Sequence, residues 1–482
     1  MSFSALLSPQ DAPVYSTLTF QEKTSYMKEI LGNSLPTIAA FLTPTFTTIC
    51  SLYFMTKYND ESLLAGYGLG AMFCGAFGQA WIASYNQATN VKISQAFGAK
   101  DYDGCAVFFR RNLILLGFFL IPLTIAMLFA DSFMIFFGVS EELASIGGKF
   151  TKLSILWMGG FTIFDSLKAY AIGQKVFQPI LYIQLFTLVL HVLWSKLFID
   201  VFQLGVVGAV ICKFLEEWAN TILLYLYIQK SGKFTQTWGV WTKDLIDWKA
   251  LWEQFKFGCS IAIITYGQWA YYEVQTLIAG NFDQGQVVVH IAISNVSSWH
   301  YCFALAISVT MLTFLGNSLG ERKLNKAKNY MWACFTLLGL QTIIYGLIIL
   351  FGRNSWVKFW TDQASTQEYM LATITVYCCT CLIVDGINNG LMAVLKSVGK
   401  EKPTTKTVLS SIYLVGVPLV ALFAFVFDLK VKGVWIGFGI GALTQLALNY
   451  NTFRTIDWQQ VQKDVIEKTG QDQKETELND IL

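Results

Sequence analysis

Long apolar runs separated by short polar stretches set the pattern of this chain, and twelve of them reach the roughly 20 residues that a bilayer span requires. The first six cover about 29–56, 63–95, 108–131, 148–173, 180–200 and 206–229. After a polar connection the second six cover about 252–279, 287–318, 329–351, 367–396, 405–427 and 433–453. The runs are continuous instead of alternating strictly over about ten residues, so they predict helices and exclude barrel strands. The expected fold class is an all-α polytopic membrane protein with twelve transmembrane helices in two six-helix lobes. Residues 1–28 form an N-terminal tail, 29–229 the N lobe, 230–251 the inter-lobe connection, 252–453 the C lobe and 454–482 a C-terminal tail. The first residues are polar and lack a basic start followed by an apolar core, so no cleaved signal peptide is expected.

The two halves carry the same landmarks. Gly98 after helix 2 and Gly320 after helix 8 lie 222 residues apart. Pro179 and Pro403, which open helices 5 and 11, are separated by 224, and Gly208 and Gly433, which begin helices 6 and 12, by 225. Three landmarks at nearly one offset indicate a parallel internal repeat, the layout of two-lobed transporters. Seventeen Lys and Arg residues lie in or beside the even-numbered connections against six on the odd-numbered ones, which places both termini in the cytosol.

Composition narrows the class further. With 54% hydrophobic and 14% charged residues the chain is not a soluble globular protein, and a net charge of +2 without a basic stripe excludes nucleic acid as a partner. Nine of the ten cysteines, all but Cys105, sit in apolar runs without metal spacing and read as small membrane-buried side chains. There is no phosphate-binding Gly-x-x-x-x-Gly-Lys-Ser/Thr loop, no Gly-x-Ser-x-Gly elbow and no His-Glu-x-x-His pair, so neither ATP-driven pumping by this chain alone nor enzymatic activity is expected. No cofactor and no metal site are expected either.

An ionisable residue at mid-membrane costs at least about 2.5–3.5 kcal/mol, so each one is a functional candidate. Asp385 lies in the middle of helix 10, on one stripe with Asn389, Met392 and Lys396, and Asn388 stands beside it. A carboxylate flanked by amides can take up a proton or a cation and release it; the plainer reading is a buried acid tied to a neighbouring helix. Glu273 in helix 7 has Trp269 one turn away, whose ring can face a cationic substrate. Burial disfavours the charged form of a carboxylate, which suits such a group to carrying protons. Gln268 is five residues from Glu273, about 140° round the helix. In helix 6, Lys213 can pair with Glu216 or Glu217, leaving one carboxylate over, and in helix 4 Asp165 can pair with Lys168. His191 and Lys196 in helix 5 also read as structural polar residues, as do His290 and His300 in helix 8. Gly433, Gly437 and Gly441 repeat every four residues and predict close helix packing.

Several stretches resemble the multidrug and toxic compound extrusion (MATE) family in its eukaryotic branch. They are Ile93-Ser94-Gln95-Ala96-Phe97-Gly98-Ala99-Lys100, Gln174 with Pro179, Leu204-Gly205-Val206-Val207-Gly208-Ala209, Thr237-Trp238-Gly239-Val240-Trp241 and Gly316-Asn317-Ser318-Leu319-Gly320. Helix 10 matches at Asp385, Asn388, Val394, Lys396 and Gly399. The helix 7 pattern Glu-Trp-Trp-x-x-Glu is kept only at Trp269 and Glu273, because its first Glu falls on Gln268 and its second Trp on Ala270.

The resemblance implies an antiporter that expels small-molecule organic cations or other amphipathic compounds across a lipid bilayer in exchange for protons or sodium ions. It assigns ion coupling to Asp385 and Glu273. The substrate path would be lined by Gln268, Trp269, Tyr272, Asn295, Asn388 and Asn389. A glutamine cannot titrate, so coupling would rest chiefly on Asp385. Asn90, Lys196, Lys213, Glu216 and Glu217 form a candidate polar network in the N lobe. The expected setting is the plasma membrane or an internal vacuolar or vesicular membrane, with the chain acting as a monomer. Two alternatives stay open: a flippase for lipid-linked or polysaccharide precursors, supported by Lys92, Lys196 and Lys213, and a non-transporting receptor or assembly subunit, suggested by Gln268.

Overall fold

A computed structural model describes residues 13–239, 241 and 243–468. Residues 1–12 and 469–482 of the expected tails, and Val240 of the inter-lobe motif, lie outside the described residues. The described residues form helices and no strand. Twelve long helices follow one another: α1 (Phe20–Tyr58), α2 (Glu61–Gly98), α3 (Tyr102–Leu128), α4 (Glu141–Gly173), α5 (Gln178–Val201), α6 (Gly205–Lys230), α7 (Trp248–Ala279), α8 (Gln284–Gly320), α9 (Leu324–Trp360), α10 (Ala364–Ser397), α11 (Glu401–Val426) and α12 (Lys430–Arg454). A short helix, α13 (Trp458–Lys468), follows them. Among the described residues nine of the twelve are long and apolar enough to cross a membrane; α4, α6 and α7 are equally long but break their apolar runs with ionisable side chains.

Local chemistry sets where helices begin. The Thr19 backbone N–H donates to Glu22 Oε2 at 2.8 Å and the Glu22 N–H donates to the Thr19 hydroxyl at 3.3 Å, a reciprocal cap that starts α1. Asp60, Asp101 and Asp283 accept backbone N–H groups at the starts of α2, α3 and α8.

Helix ends repeat between the halves. Lys100 after α2 and Arg322 after α8 both take left-handed backbone angles, φ 59° and 62°. So do Lys175 and Gly399 after α4 and α10, and Gln203 and Asp428 after α5 and α11. The intervals between partners repeat those of the sequence landmarks, and only short-range hydrogen bonding at a helix end is needed to produce them.

The chain packs as two units, Ala39–Ala262 and a second comprising residues 13–38 and 263–468. The expected lobes 29–229 and 252–453 share their bulk with these units and differ at α1 and α7, for visible reasons. The start of α1 is held to α9: Tyr26 packs edge-on against Tyr330 at 4.9 Å between centroids, and the Tyr330 hydroxyl donates to Glu29 at 2.7 Å. The start of α7 is held to the first unit, where Gln254 Nε2 donates to the Phe108 carbonyl at 2.9 Å.

Each unit has its own apolar core. That of the first gathers around Trp157, Met127, Ile82 and Ile199, and that of the second around Trp435, Tyr377, Met370 and Val431. The α12 glycine stripe packs against α11 as its spacing predicts. A Cβ on Gly433 would lie 2.5 Å from the Phe423 carbonyl, one on Gly437 2.6 Å from Val420 Cα and one on Gly441 2.9 Å from Gly416 Cα.

Candidate functional site

Two buried polar clusters stand out, one in each unit. In the second unit α10 widens into a π-helical turn at Cys378–Leu382, and Asp385 follows directly. Such turns are frequent at functional sites. Asp385 is 7% exposed. The Tyr272 hydroxyl from α7 donates to its Oδ2 over 3.4 Å and also lies 3.2 Å from Ser297 Oγ of α8. Among the described residues no Lys, Arg or His stands at ion-pair distance from Asp385 or from Glu273. A buried acid without a counter-charge is costly, so it is a group that gains by taking up a proton or cation.

The other expected residues of this unit are placed as follows. Asn389 donates its amide to the Asp385 carbonyl at 2.8 Å, and Asn388 Oδ1 accepts from Asn449 of α12 at 2.8 Å. Asn295 donates to the Ile291 carbonyl one turn back at 2.9 Å. Glu273 and Gln268 are half-buried, and Trp269 is 45% exposed. Glu273 follows Tyr272, and consecutive helical residues point about 100° apart, so the tyrosine that meets Asp385 does not bring the glutamate with it. Lys396 is buried, with Nζ 3.4 Å from Thr265 Oγ1 of α7. His290 Nε2 meets Thr276 and Ser294, each at 3.2 Å, and His300 Nε2 meets Thr342 at 3.4 Å, so both side chains are held as structural polar residues.

In the first unit Lys213 bridges both acids of α6, with Nζ 3.2 Å from Glu216 Oε2 and 2.9 Å from Glu217 Oε1. One ammonium reaches both acids, so neither lacks a contact, and the single acid in excess of charge that the spacing predicts is shared between them. Glu216 Oε2 also lies 3.0 Å from His191 Nδ1 of α5, an ion-pair distance with a bent approach. His191 Nε2 is 3.1 Å from Ser51 Oγ of α1. Lys196 does not join this cluster. It is 57% exposed and paired with Asp200 one turn on, which Lys57 of α1 also meets at 2.9 Å. The i,i+4 spacing of Lys196 and Asp200 is the sequence signal for that pairing. Asp165 pairs with Lys168, as its spacing predicts, and also accepts from Asn86 at 2.8 Å. Asn86 Oδ1 accepts in turn from Asn112 at 2.7 Å, in a network that sequence reading missed. Asn90 is buried one turn beyond Asn86.

A polytopic α-helical membrane protein with repeated six-helix halves and buried acids has the build of a secondary transporter. The family model described as MatE matches residues 36–196 and again 261–422. The chain is 22% identical over 435 residues to Protein DETOXIFICATION 9 of Arabidopsis thaliana, spanning 90% of this chain and 89% of that protein. It is 25% identical to Protein DETOXIFICATION 49 of the same plant, over 89% of this chain and 84% of the relative. Its fold superposes on the eukaryotic MATE transporter AtDTX14 with a TM-score of 0.85 at 21% identity, covering 93% of this chain and 99% of that one. An outward-facing multidrug resistance MATE family transporter gives a TM-score of 0.79 at 16% identity, covering 91% and 97%. The chain belongs to the MATE family, as an integral multi-pass membrane transporter.

Proposed function

We propose that this transporter is a secondary active antiporter that exports organic cations or other amphipathic small molecules in exchange for protons or sodium ions by alternating access. Asp385 is the principal exchange group and Glu273 an auxiliary one, and Gln268, Trp269, Tyr272, Asn295, Asn388 and Asn389 contribute to substrate binding. One observation carries the reading: Asp385 is buried within α10, without a counter-charge among the described residues, and touched by the Tyr272 hydroxyl. A proton or an alkali cation supplies the missing positive charge, and a cationic substrate competes for the same carboxylate. The chain acts as a monomer with both termini in the cytosol, in the plasma membrane or a vacuolar or vesicular membrane. The flippase alternative calls for basic side chains offered to an anionic ligand. Lys213 is instead engaged by two carboxylates, Lys196 by Asp200, and Lys92 lies 4.6 Å from the centroid of the Phe257 ring.

The test is transport of a fluorescent organic cation, ethidium, by purified protein in lipid vesicles with pH and sodium gradients imposed separately. Accumulation driven by either gradient supports the reading, and the effective gradient identifies the ion. Equilibration without accumulation under both contradicts it. Gln268→Glu restores an acid to helix 7 and raises the accumulation ratio if the glutamine is a functional loss.

A further inference from the structure

The second unit has a groove that exchange at Asp385 does not use. It runs between α9 and α12 with α10 as its floor and holds about 470 Å³. Its lining is apolar, with Trp332 and Phe335 of α9, Leu391 of α10 and Leu443, Leu446 and Phe453 of α12 among the side chains. Trp332, Leu443 and Tyr450 are about half exposed, so the groove is open at membrane depth instead of sealed inside the unit. The first unit fills the corresponding place with a ring. Trp218 stands 13 residues into α6, as Leu443 stands 13 residues into α12. A Cβ on Gly160 of α4 would come within 3.2 Å of the Trp218 ring, whose Nε1 donates to the Leu156 carbonyl at 3.1 Å. Leucine at that register is smaller, and the space it leaves belongs to the second unit's own sequence and not to the repeat.

Length and charge select the occupant. From Leu443 to Phe453 the α12 wall rises about 15 Å, half of the roughly 30 Å hydrocarbon core, so the groove is one leaflet long. One end of it is polar. Trp332 also lines a second cavity of about 250 Å³, together with Asn325, Lys328 and Asn329 of α9 and Tyr15 and Ser16 ahead of α1. Lys328 Nζ lies 5.3 Å from the centroid of the Trp458 ring, and Arg454 follows Phe453 directly and is exposed. The acids nearest these cations in sequence are engaged elsewhere. Glu321 meets Lys323 at 3.5 Å and Lys326 at 2.9 Å, and Asp457 accepts from the backbone N–H groups of Gln459 and Gln460 at 3.0 and 3.2 Å. An apolar groove one leaflet long, with aromatic rings and two cations at its head end, complements an amphiphile with an anionic head. An organic cation would meet like charge there.

We propose that the groove between α9, α10 and α12 binds one anionic phospholipid, with an acyl chain against Trp332, Phe335 and Leu446 and the phosphate held by Lys328 and Arg454. On the orientation proposed above, the lipid comes from the cytosolic leaflet. Its binding requires neither exchange nor transport, so it stands apart from the antiport reading.

Native mass spectrometry of the full-length protein in detergent, titrated with palmitoyl-oleoyl phosphatidylglycerol or with the phosphatidylcholine of the same chains, measures the bound lipid. The first phosphatidylglycerol is expected to bind at least about tenfold more tightly than phosphatidylcholine and to raise Tm. Lys328→Gln combined with Arg454→Gln lowers its affinity to that of phosphatidylcholine; neither residue belongs to the apolar core of the unit. Leu443→Trp puts into the groove the ring that the first unit carries and weakens both lipids about tenfold. Equal affinity for the two headgroups, or a preference that survives removal of both cations, overturns the proposal. So does phosphatidylglycerol binding that is unchanged in a Leu443→Trp variant with the wild-type Tm. A dimer that Leu443→Trp dissociates and phosphatidylglycerol does not overturns it in favour of a second copy of the chain.

Discussion

Gly437→Ala tests the packing of α12 on α11, with a magnitude that follows from the backbone. The added methyl would sit 2.6 Å from Val420 Cα and 2.7 Å from the Leu419 carbonyl carbon, where ordinary contact begins at 3.4 Å. These obstacles and the Val420 backbone nitrogen, which is nearer still, are main chain and cannot rotate away, so the helices must separate locally by about 1 Å. Overpacking of this kind costs about 1–3 kcal/mol, and a gap of that size forfeits a quarter to a half of the dispersion energy of the neighbouring atom pairs. At roughly 2–4 °C per kcal/mol for a unit of this size, Tm of the detergent-purified protein is expected to fall by roughly 2–12 °C. The control is Gly339→Ala on α9, where a Cβ meets nothing within 4 Å. That change relieves the entropic cost of a helical glycine and is expected to be neutral or to stabilise by about 0.5–1 kcal/mol. Fluorescence-detected thermal unfolding of the two variants beside the wild type reads both signs. Equal Tm values for Gly437→Ala and wild type would refute the close approach of α11 and α12.

Two further outcomes follow from the same geometry. Asp165→Asn removes the partner of Lys168 inside the first unit and is expected to destabilise it by about 3 kcal/mol, measurable as a lower Tm, with Asp165→Glu recovering part of the loss. Gly399→Ala forces a Cβ into left-handed backbone at φ 75° and costs about 1–2 kcal/mol, whereas Lys175→Gly at the corresponding end of α4 is tolerated or mildly stabilising in the same assay.

The membrane helices and their repeat were legible because they are local properties. Apolar runs give the helices, and helix ends at Lys100 and Arg322, or at Lys175 and Gly399, recur wherever the same turn recurs. Pairs three or four residues apart, such as Asp165 with Lys168, were legible for the same reason. Contacts between helices were not. His191 and Glu216 are 25 residues apart, Asn86 and Asp165 79, and Tyr272 and Asp385 113; helical periodicity carries no information about such pairs. Lys196 pairs locally with Asp200 four residues on, and that nearby acid holds it away from the buried cluster. Trp269, assigned to the face of Glu273 by period alone, proves to be about half exposed, since a helical stripe says which residues share a face and not what that face meets.

The most direct test of exchange at Asp385 is gradient-driven accumulation of ethidium in vesicles containing wild type or Asp385→Asn, with equal protein inserted and ethidium binding measured in parallel. Asp385→Asn is expected to bind the dye, or to let it equilibrate, without accumulating it under either a pH or a sodium gradient. Accumulation at the wild-type rate and ratio in Asp385→Asn would contradict the assignment.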